Sequence, residues 1–217
     1  MQNQSTLYLL ITALATSAAL ADENLPKTLM TERGKLAYSD DLSKAAWRAG
    51  KGKWEIVDGA MKGSELKADK HGAVARHQLP FKDAVIQLNG SKQATFSIND
   101  AKEHLCRVLV NPAGFRAQKD DHDHDGPDKA KPFNLVNVPF KPGTWHTVLI
   151  EILGEEMVAT IEGKSSAGSD PLIGTAKANF GFTVAGESAS FRNLKVWEAQ
   201  ANPVWEQNKK LISAAKK

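Results

Sequence analysis

Between residues 34 and 200 the sequence is a succession of short apolar or alternating runs, each closed by Gly, Pro, Asn or Asp. Such a pattern builds strands of about four to eight residues joined by tight turns, so the expected class is all-β. The predicted strands are Lys35–Ser39, Trp54–Asp58, Met61–Ser64, Ala73–Gln78, Ala84–Leu88, Ala94–Ile98 and Leu105–Val110. They continue with Phe115–Gln118, Phe133–Val138, Trp145–Ile152, Met157–Glu162, Asn179–Ala185 and Ser190–Trp197. Asp58-Gly59 is a dipeptide suited to a type I′ hairpin, whose two central residues both need positive φ. Asn89-Gly90 and Leu153-Gly154-Glu155 are read as turns on the same ground, and Pro112 ends a strand because it cannot donate to a ladder.

The run Trp145 to Ile152 is apolar on both faces. Val148, Ile150 and Ile152 point one way, and Trp145 and Leu149 the other. A strand with one wet face would alternate cleanly, so this one is expected mid-sheet, covered outside by a loop or helix. Two segments read as helical. Leu42 to Arg48 forms a short turn, and Asn202 to Ala215 carries a capping Asn202, with Pro203 at the first helical position and a stripe of Val204, Leu211 and Ile212.

The domain plan follows from these patterns. Residues 1–21 read as a signal peptide, with an uncharged apolar stretch from Leu7 ending in Ala19-Leu20-Ala21, a small-x-small cleavage pattern. About 15 apolar residues fall short of the roughly 20 needed to cross a bilayer, so export to the periplasm or the extracellular space is expected, without membrane insertion after cleavage. Residues 22–33 are a lead-in, 34–200 the sandwich domain and 201–217 a helical tail. The single cysteine, Cys106, cannot make an internal disulfide. The net charge of +3 is spread along the chain, whereas nucleic-acid binding needs a concentrated basic stripe, so no nucleic-acid partner is expected.

The most unusual segment is the loop from Asp120 to Asp128, with five carboxylates in nine residues. Asp121, Asp123, Asp125 and Gly126 match the opening half of a calcium loop, in which alternate carboxylates converge on a hard ion. The second half fails, because Pro132 stands where a bidentate Glu belongs. His122 and His124 add donors preferred by transition metals. The candidate metal ligands are therefore Asp121, His122, Asp123, His124 and Asp125, for Ca2+ or a transition metal, against a loop that touches only water. His104 and Cys106 lie two apart and are expected to share a face with Val108 and Val110. A soft-metal pair is weighed there against a buried cysteine acting as a small hydrophobe.

A sugar hydrolase needs paired carboxylates across the scissile bond. The nearest candidate, Glu151-Ile152-Leu153-Gly154-Glu155-Glu156, is broken by a glycine turn. Of five tryptophans, Trp54, Trp145 and Trp197 fall in strands and read as core. Trp47 and Trp205 lie outside them and are, with Arg107, the candidate ligand-binding residues, because a pyranose face stacks on an aromatic ring.

Trp47 followed by Gly52-Lys53-Trp54-Glu55-Ile56-Val57-Asp58-Gly59 resembles the opening of the 3-keto-disaccharide hydrolase-like domain family. Pro142-Gly143-Thr144-Trp145-His146 and Phe191-Arg192-Asn193-Leu194-Lys195-Val196 are similar to its later motifs, and the resemblance spans residues 34 to 198. It implies a concanavalin A-like, two-sheet antiparallel jelly-roll sandwich with a role around carbohydrates, in some members cleavage of 3-keto-glycosides. Two departures stand out: Leu36-Ala37-Tyr38-Ser39-Asp40-Asp41-Leu42 lacks the family's glycine, and no catalytic set matches residue by residue. The expectation is a carbohydrate-binding sandwich. The alternatives are a hydrolase or lyase acting on 3-keto-glycosides, and a structural or protein-binding module of the cell envelope.

Overall fold

The computed structural model describes residues 25–44, 47–91, 93–141 and 143–214. The expected signal peptide, 1–21, lies outside the described residues. The strands are β1 (Thr31–Asp40), β2 (Arg48–Lys51), β3 (Lys53–Val57), β4 (Ala60–Ser64), β5 (Ala73–Phe81), β6 (Ala84–Gly90), β7 (Ala94–Asn99) and β8 (His104–Asn111). They continue as β9 (Gly114–Lys119), β10 (Lys131–Pro132), β11 (Val136–Asn137), β12 (His146–Leu153), β13 (Glu156–Ile161), β14 (Lys164–Ser169), β15 (Lys177–Val184) and β16 (Ala189–Ala201). One helix follows, α1 (Trp205–Ala214), and no helix among the described residues is long and apolar enough to cross a membrane.

The strands form two antiparallel sheets, a jelly-roll sandwich. The first runs β14-β13-β12-β6-β16-β4-β3, with β1 on β16; the second runs β10-β9-β8-β7-β15-β5-β2, with β11 on β9. Between the sheets lies one apolar core. Ile86, Val148, Ile150, Met157 and Phe191 meet Phe96, Val108, Phe115, Phe180 and Phe182 there. Phe182 stacks on Phe191 with centroids 4.1 Å apart, joining the sheets at their middle. Asp58 and Gly59 take φ of 50° and 70°, the paired positive values that a type I′ turn requires.

Several expectations change. Asn89-Gly90 does not turn: both stay in β6, paired with β12 and β16. Gly90 lies under Phe96, whose ring tip would sit 3.5 Å from an added Cβ. The helical turn expected at Leu42–Arg48 is also absent among its described residues, and Arg48 opens β2 instead. The expected strand Phe133–Val138 shrinks to the two-residue β11. β14, which has almost no apolar residue, is an edge strand recruited by β13 through the Glu162-Gly163 turn. Its Gly168 lies against the Phe133 ring, so a side chain there would collide.

The outer face of the first sheet is covered, as the apolar character of β12 on both sides required. Residues 25–30 cross it as a strap that leads into β1. Leu25 packs with Val85, Leu149 and Trp197. Leu29 and Met30 pack with Val158, Trp205 and Ile212, so α1 docks on its own domain. The Asn208 and Asn202 amides both donate to the Leu29 carbonyl, at 2.8 and 3.1 Å. At the centre of this arrangement, Glu151 points out of β12 and is fully buried. It accepts the backbone N–H of Leu29, Met30 and Thr31 and the Thr31 hydroxyl at 2.8–3.1 Å.

A buried carboxylate without such donors is strongly unfavourable, and donors without their acceptor are costly too. Glu151→Ala is expected to destabilise the protein by about 3 kcal/mol or more, a fall in Tm of roughly 10 °C for a chain of this length. Urea and thermal melts check this, with faster amide exchange at residues 29–31 as the local signature.

Candidate functional site

The second sheet differs from the first. Its outer face carries no strap or helix among the described residues, and it is polar. In β7, Phe96 and Ile98 face the core, which turns Thr95, Ser97 and Asn99 outward. The same alternation turns out Arg107 and Leu109 in β8, Arg116 and Gln118 in β9, Val74, Arg76 and Gln78 in β5, and Asn179, Gly181 and Thr183 in β15. Ser97, Asn99, Gln118 and Asn179 are nonetheless buried, at 2–7% exposure, shielded by their longer neighbours.

Two hydrogen-bonded chains organise this face. In the first, Arg116 Nε donates to Gln118 Oε1 (3.2 Å), and Gln118 Nε2 donates to Asp120 Oδ1 (2.9 Å). Arg107 Nε donates to the other carboxylate oxygen at 2.5 Å. Asp120 is 1% exposed, and its own amide donates to the Leu105 carbonyl at 2.9 Å. It therefore belongs to the sheet rather than to the acidic loop that follows it.

The second chain starts from a backbone acceptor. Asn179 Nδ2 donates to the Asp100 carbonyl (3.3 Å), and Asn99 Nδ2 donates to Asn179 Oδ1 (2.6 Å). Asn99 Oδ1 is then the partner of His104 Nδ1. Because the Asp100 carbonyl can only accept, the orientation of each amide is fixed in turn, and His104 must carry its proton on Nδ1. Burial holds the His104 imidazole below the usual histidine range, and Arg107 pushes it the same way. The ring is neutral at pH 7, with Nε2 left as an acceptor.

His104 reaches this face through a register irregularity. Ile98 pairs with Cys106, yet Asn99 pairs with His104, so one extra residue, Leu105, sits in β8. A bulge of this kind re-aims a side chain. It separates His104 from Cys106, correcting the expectation that the two share a face. Cys106 is fully buried in the core with Val108 and Val110.

The three candidate ligand-binding residues part company. Arg107 stands on the open face. Trp47 is only 8% exposed, stacked on Phe182 (4.7 Å) and His77 (5.3 Å), with its Nε1 donating to Asp40. Its burial overturns the expected sugar-stacking role. Trp205 is also buried: it anchors α1 and donates to Glu156 at 2.8 Å. None of the five tryptophans stands on the polar face. Trp54, Trp145 and Trp197 belong to the first sheet or its approach, where Trp145 lies under Arg192 at 4.1 Å.

The acidic loop is cross-tied. His122 Nε2 lies 2.9 Å from Asp100 and His124 Nε2 3.0 Å from Glu103, which pins the loop to the β7–β8 turn. Asp128 pairs with Lys119 and accepts the His122 N–H, while Asp123 accepts from Gly126 and Asp128. The carboxylates of Asp121, Asp123 and Asp128 bring ligand atoms within 4.8 Å of one another. Asp125 is exposed outside that group, and the two histidines are engaged elsewhere. Asp128 joins the cluster although the sequence motif did not include it. Arg76, Asn99, Gln118 and Asn179 were missed in the sequence. Their signal was a polar residue at every second position in strands whose other face is apolar.

No family model matches the sequence, and no curated protein matches it. Solved structures do match the fold. A protein with a galectin-like fold from Bacillus subtilis superposes with a TM-score of 0.60 at 12% identity, over 80% of this chain and all of that one. A family 66 carbohydrate binding module from Bacillus subtilis gives 0.54 at 13%, over 70% and 95%. A non-specific endo-β-1,3(4)-glucanase of glycoside hydrolase family 16 gives 0.55 at 8%, over 79% and 96%. At these identities the likeness establishes the fold, a concanavalin A-type jelly roll, and leaves the activity to the side chains.

Burial pushes the Cys106 thiol up to about 12, and the thiolate is the reactive form. An aromatic disulfide reagent is therefore expected to leave the folded protein unmodified at pH 8 and to label one thiol per chain in guanidinium. Labelling of the folded protein at a free-thiol rate would show that Cys106 is accessible.

Proposed function

We propose that the protein is a glycan-binding sandwich whose ligand lies on the outer face of the second sheet. The observation that carries this reading is the set of Ser97, Asn99, Gln118, Asp120 and Asn179, which face away from the core yet are almost fully buried, with Asn99 bonded to Asn179 and Gln118 to Asp120. Sugars present dense hydroxyl groups, and planar side chains fixed in a network meet them without losing further rotamer freedom. The fold supports the reading, because structures sharing it include a carbohydrate binding module and a glucanase. Export to the periplasm or outside the cell, expected from residues 1–21, belongs to the same reading.

Binding accounts for this face better than two-carboxylate hydrolysis does. The strands of this face contribute no carboxylate among the described residues; Asp120 follows β9, and Arg107 and Gln118 already hold both its oxygens. A general acid and its partner carboxylate both need access to the scissile bond. Hydrolysis or elimination on 3-keto-glycosides would show as turnover of such a substrate, which would replace the binding reading. Otherwise, affinity electrophoresis through polysaccharide gels is expected to retard the protein. Gln118→Ala is expected to weaken retardation by about tenfold, the loss of one or two hydrogen bonds, whereas Trp145→Ala leaves it unchanged. Retardation equal in both variants would remove the face from the reading.

A second reading concerns the acidic loop. Asp121, Asp123 and Asp128 offer oxygen donors alone, a set that suits a hard cation such as calcium rather than zinc or copper. Lys119 beside Asp128 opposes a second positive charge, so binding is expected to be weak. Calcium is expected to raise Tm only at millimolar concentration, and Asp123→Asn to abolish that rise. A Tm indifferent to calcium and to chelator would leave the loop held by its ion pairs alone.

A further inference from the structure

One cross-strand row on the open face has a particular charge. Arg48 lies directly opposite Arg76, Arg76 opposite Gly181, Gly181 opposite Ser97, Ser97 opposite Arg107 and Arg107 opposite Gln118. The middle of the row is its lowest point, because Gly181 and Ser97 carry the smallest side chains. A Cβ at Gly181 would fall 2.9 Å from Arg76 Cγ, so the Arg76 side chain crosses the glycine and reaches over this floor. Arg107 flanks the floor from the other side, and both guanidinium groups lie close enough to act on His104.

The charges on this face are unbalanced. The strands contribute Arg48, Arg76, Arg107 and Arg116, against which stands Asp120, the residue that follows β9. Like charges directly opposite each other on adjacent strands are destabilising, and Arg48 and Arg76 are such a pair. Among the described residues neither makes an ion pair with a carboxylate, and Arg107 uses only its Nε on Asp120. Nearby acids are committed elsewhere, Asp100 to His122 and Glu103 to His124. Guanidinium groups around a small-residue floor, one without a carboxylate partner among the described residues and one bound to Asp120 through Nε alone, are an arrangement that receives an oxyanion, because the planar fork matches carboxylate and sulfate oxygens.

Resting on the reading of this face as the glycan surface, we infer that the ligand is an acidic saccharide, with Arg76 and Arg107 holding its oxyanion over the Gly181–Ser97 floor. Gln118 and His104 Nε2, the ring nitrogen that the bond to Asn99 leaves as an acceptor, then take the neighbouring hydroxyls. Asp120 acts as a positioning residue: it aims Arg107 and does not touch the ligand.

The test measures binding of the full chain, by calorimetry, to polygalacturonate and alginate (carboxylate), carrageenan (sulfate), carboxyl-reduced polygalacturonate and laminarin (neutral), and polyglutamate. Binding is expected for an acidic polysaccharide, to be steeply weakened by salt, and to fall about tenfold in Arg76→Gln, the loss of a charge-assisted contact. Arg76 is exposed, so its substitution leaves Tm in place. Binding confined to the carboxylated or to the sulfated polymers identifies the oxyanion, and either supports the inference. Binding to laminarin or the reduced polymer, lost in Gln118→Ala and unaffected by Arg76→Gln, would overturn it while keeping the glycan surface. Equal binding to polyglutamate would show charge attraction without sugar recognition and overturn it as well. Silence with every polymer would overturn the glycan surface itself.

Discussion

Four donors converge on one carboxylate in the middle of β12, and the asymmetry of the molecule follows from that convergence. A charge on the outer face of an apolar strand has two stable settings, in water or inside a shell of hydrogen bonds. Here the backbone of residues 29–31 supplies the shell, so the strap must lie across the first sheet for Glu151 to be tolerated. The strap in turn provides the Leu29 carbonyl that receives Asn202 and Asn208, and so the seat for α1. With one sheet closed in this way, the other is the side on which polar side chains meet solvent. Glu151 sits in the stretch that sequence reasoning tested for a hydrolase motif; the structure gives it an architectural role instead.

The open face has the physical character of a site prepared in advance. Buried amides and a buried carboxylate on a solvent-facing surface are stable only when each finds a partner. The two chains through Asp120 and through Asn99 meet that demand with protein partners. Their ends, at Arg116, Arg107 and His104, are the places where valence remains. Groups anchored on strands are held more firmly than groups on loops, and here the Asp100 carbonyl orients the chain through Asn179 and Asn99 while the Asp120 carboxylate orients Gln118 and Arg107.

Much of the scaffold was legible because its causes are local. The double-faced apolar run of β12 required cover on its outer side, and Asp58-Gly59 required a tight hairpin. The burial of Cys106 followed from its residue type. The elements that escaped have causes lying far away in the chain. β14 is a strand because β13 offers it an edge, and nothing in its own small polar residues says so. Trp47, a candidate ligand contact because it lies outside the predicted strands, is drawn into the core by Phe182 and His77, which come from β15 and β5. The candidate site escaped for the same reason. It takes about one polar residue from each strand, and register alone places Arg76, Gly181, Ser97 and Arg107 in line. By contrast, the Asp/His loop was conspicuous because its residues are contiguous, yet the structure spends its histidines on tethering.

The strap and the terminal helix lie on the same side of the sandwich, the side away from the polar face. Leu25 and the docked face of α1 therefore both belong to the back of the molecule. A tether attached at either end, or a neighbouring domain carried there, would leave the arginine-bearing sheet turned outward, toward whatever the anchored surface faces. In that geometry an attachment at the back would leave the front of the molecule unobscured.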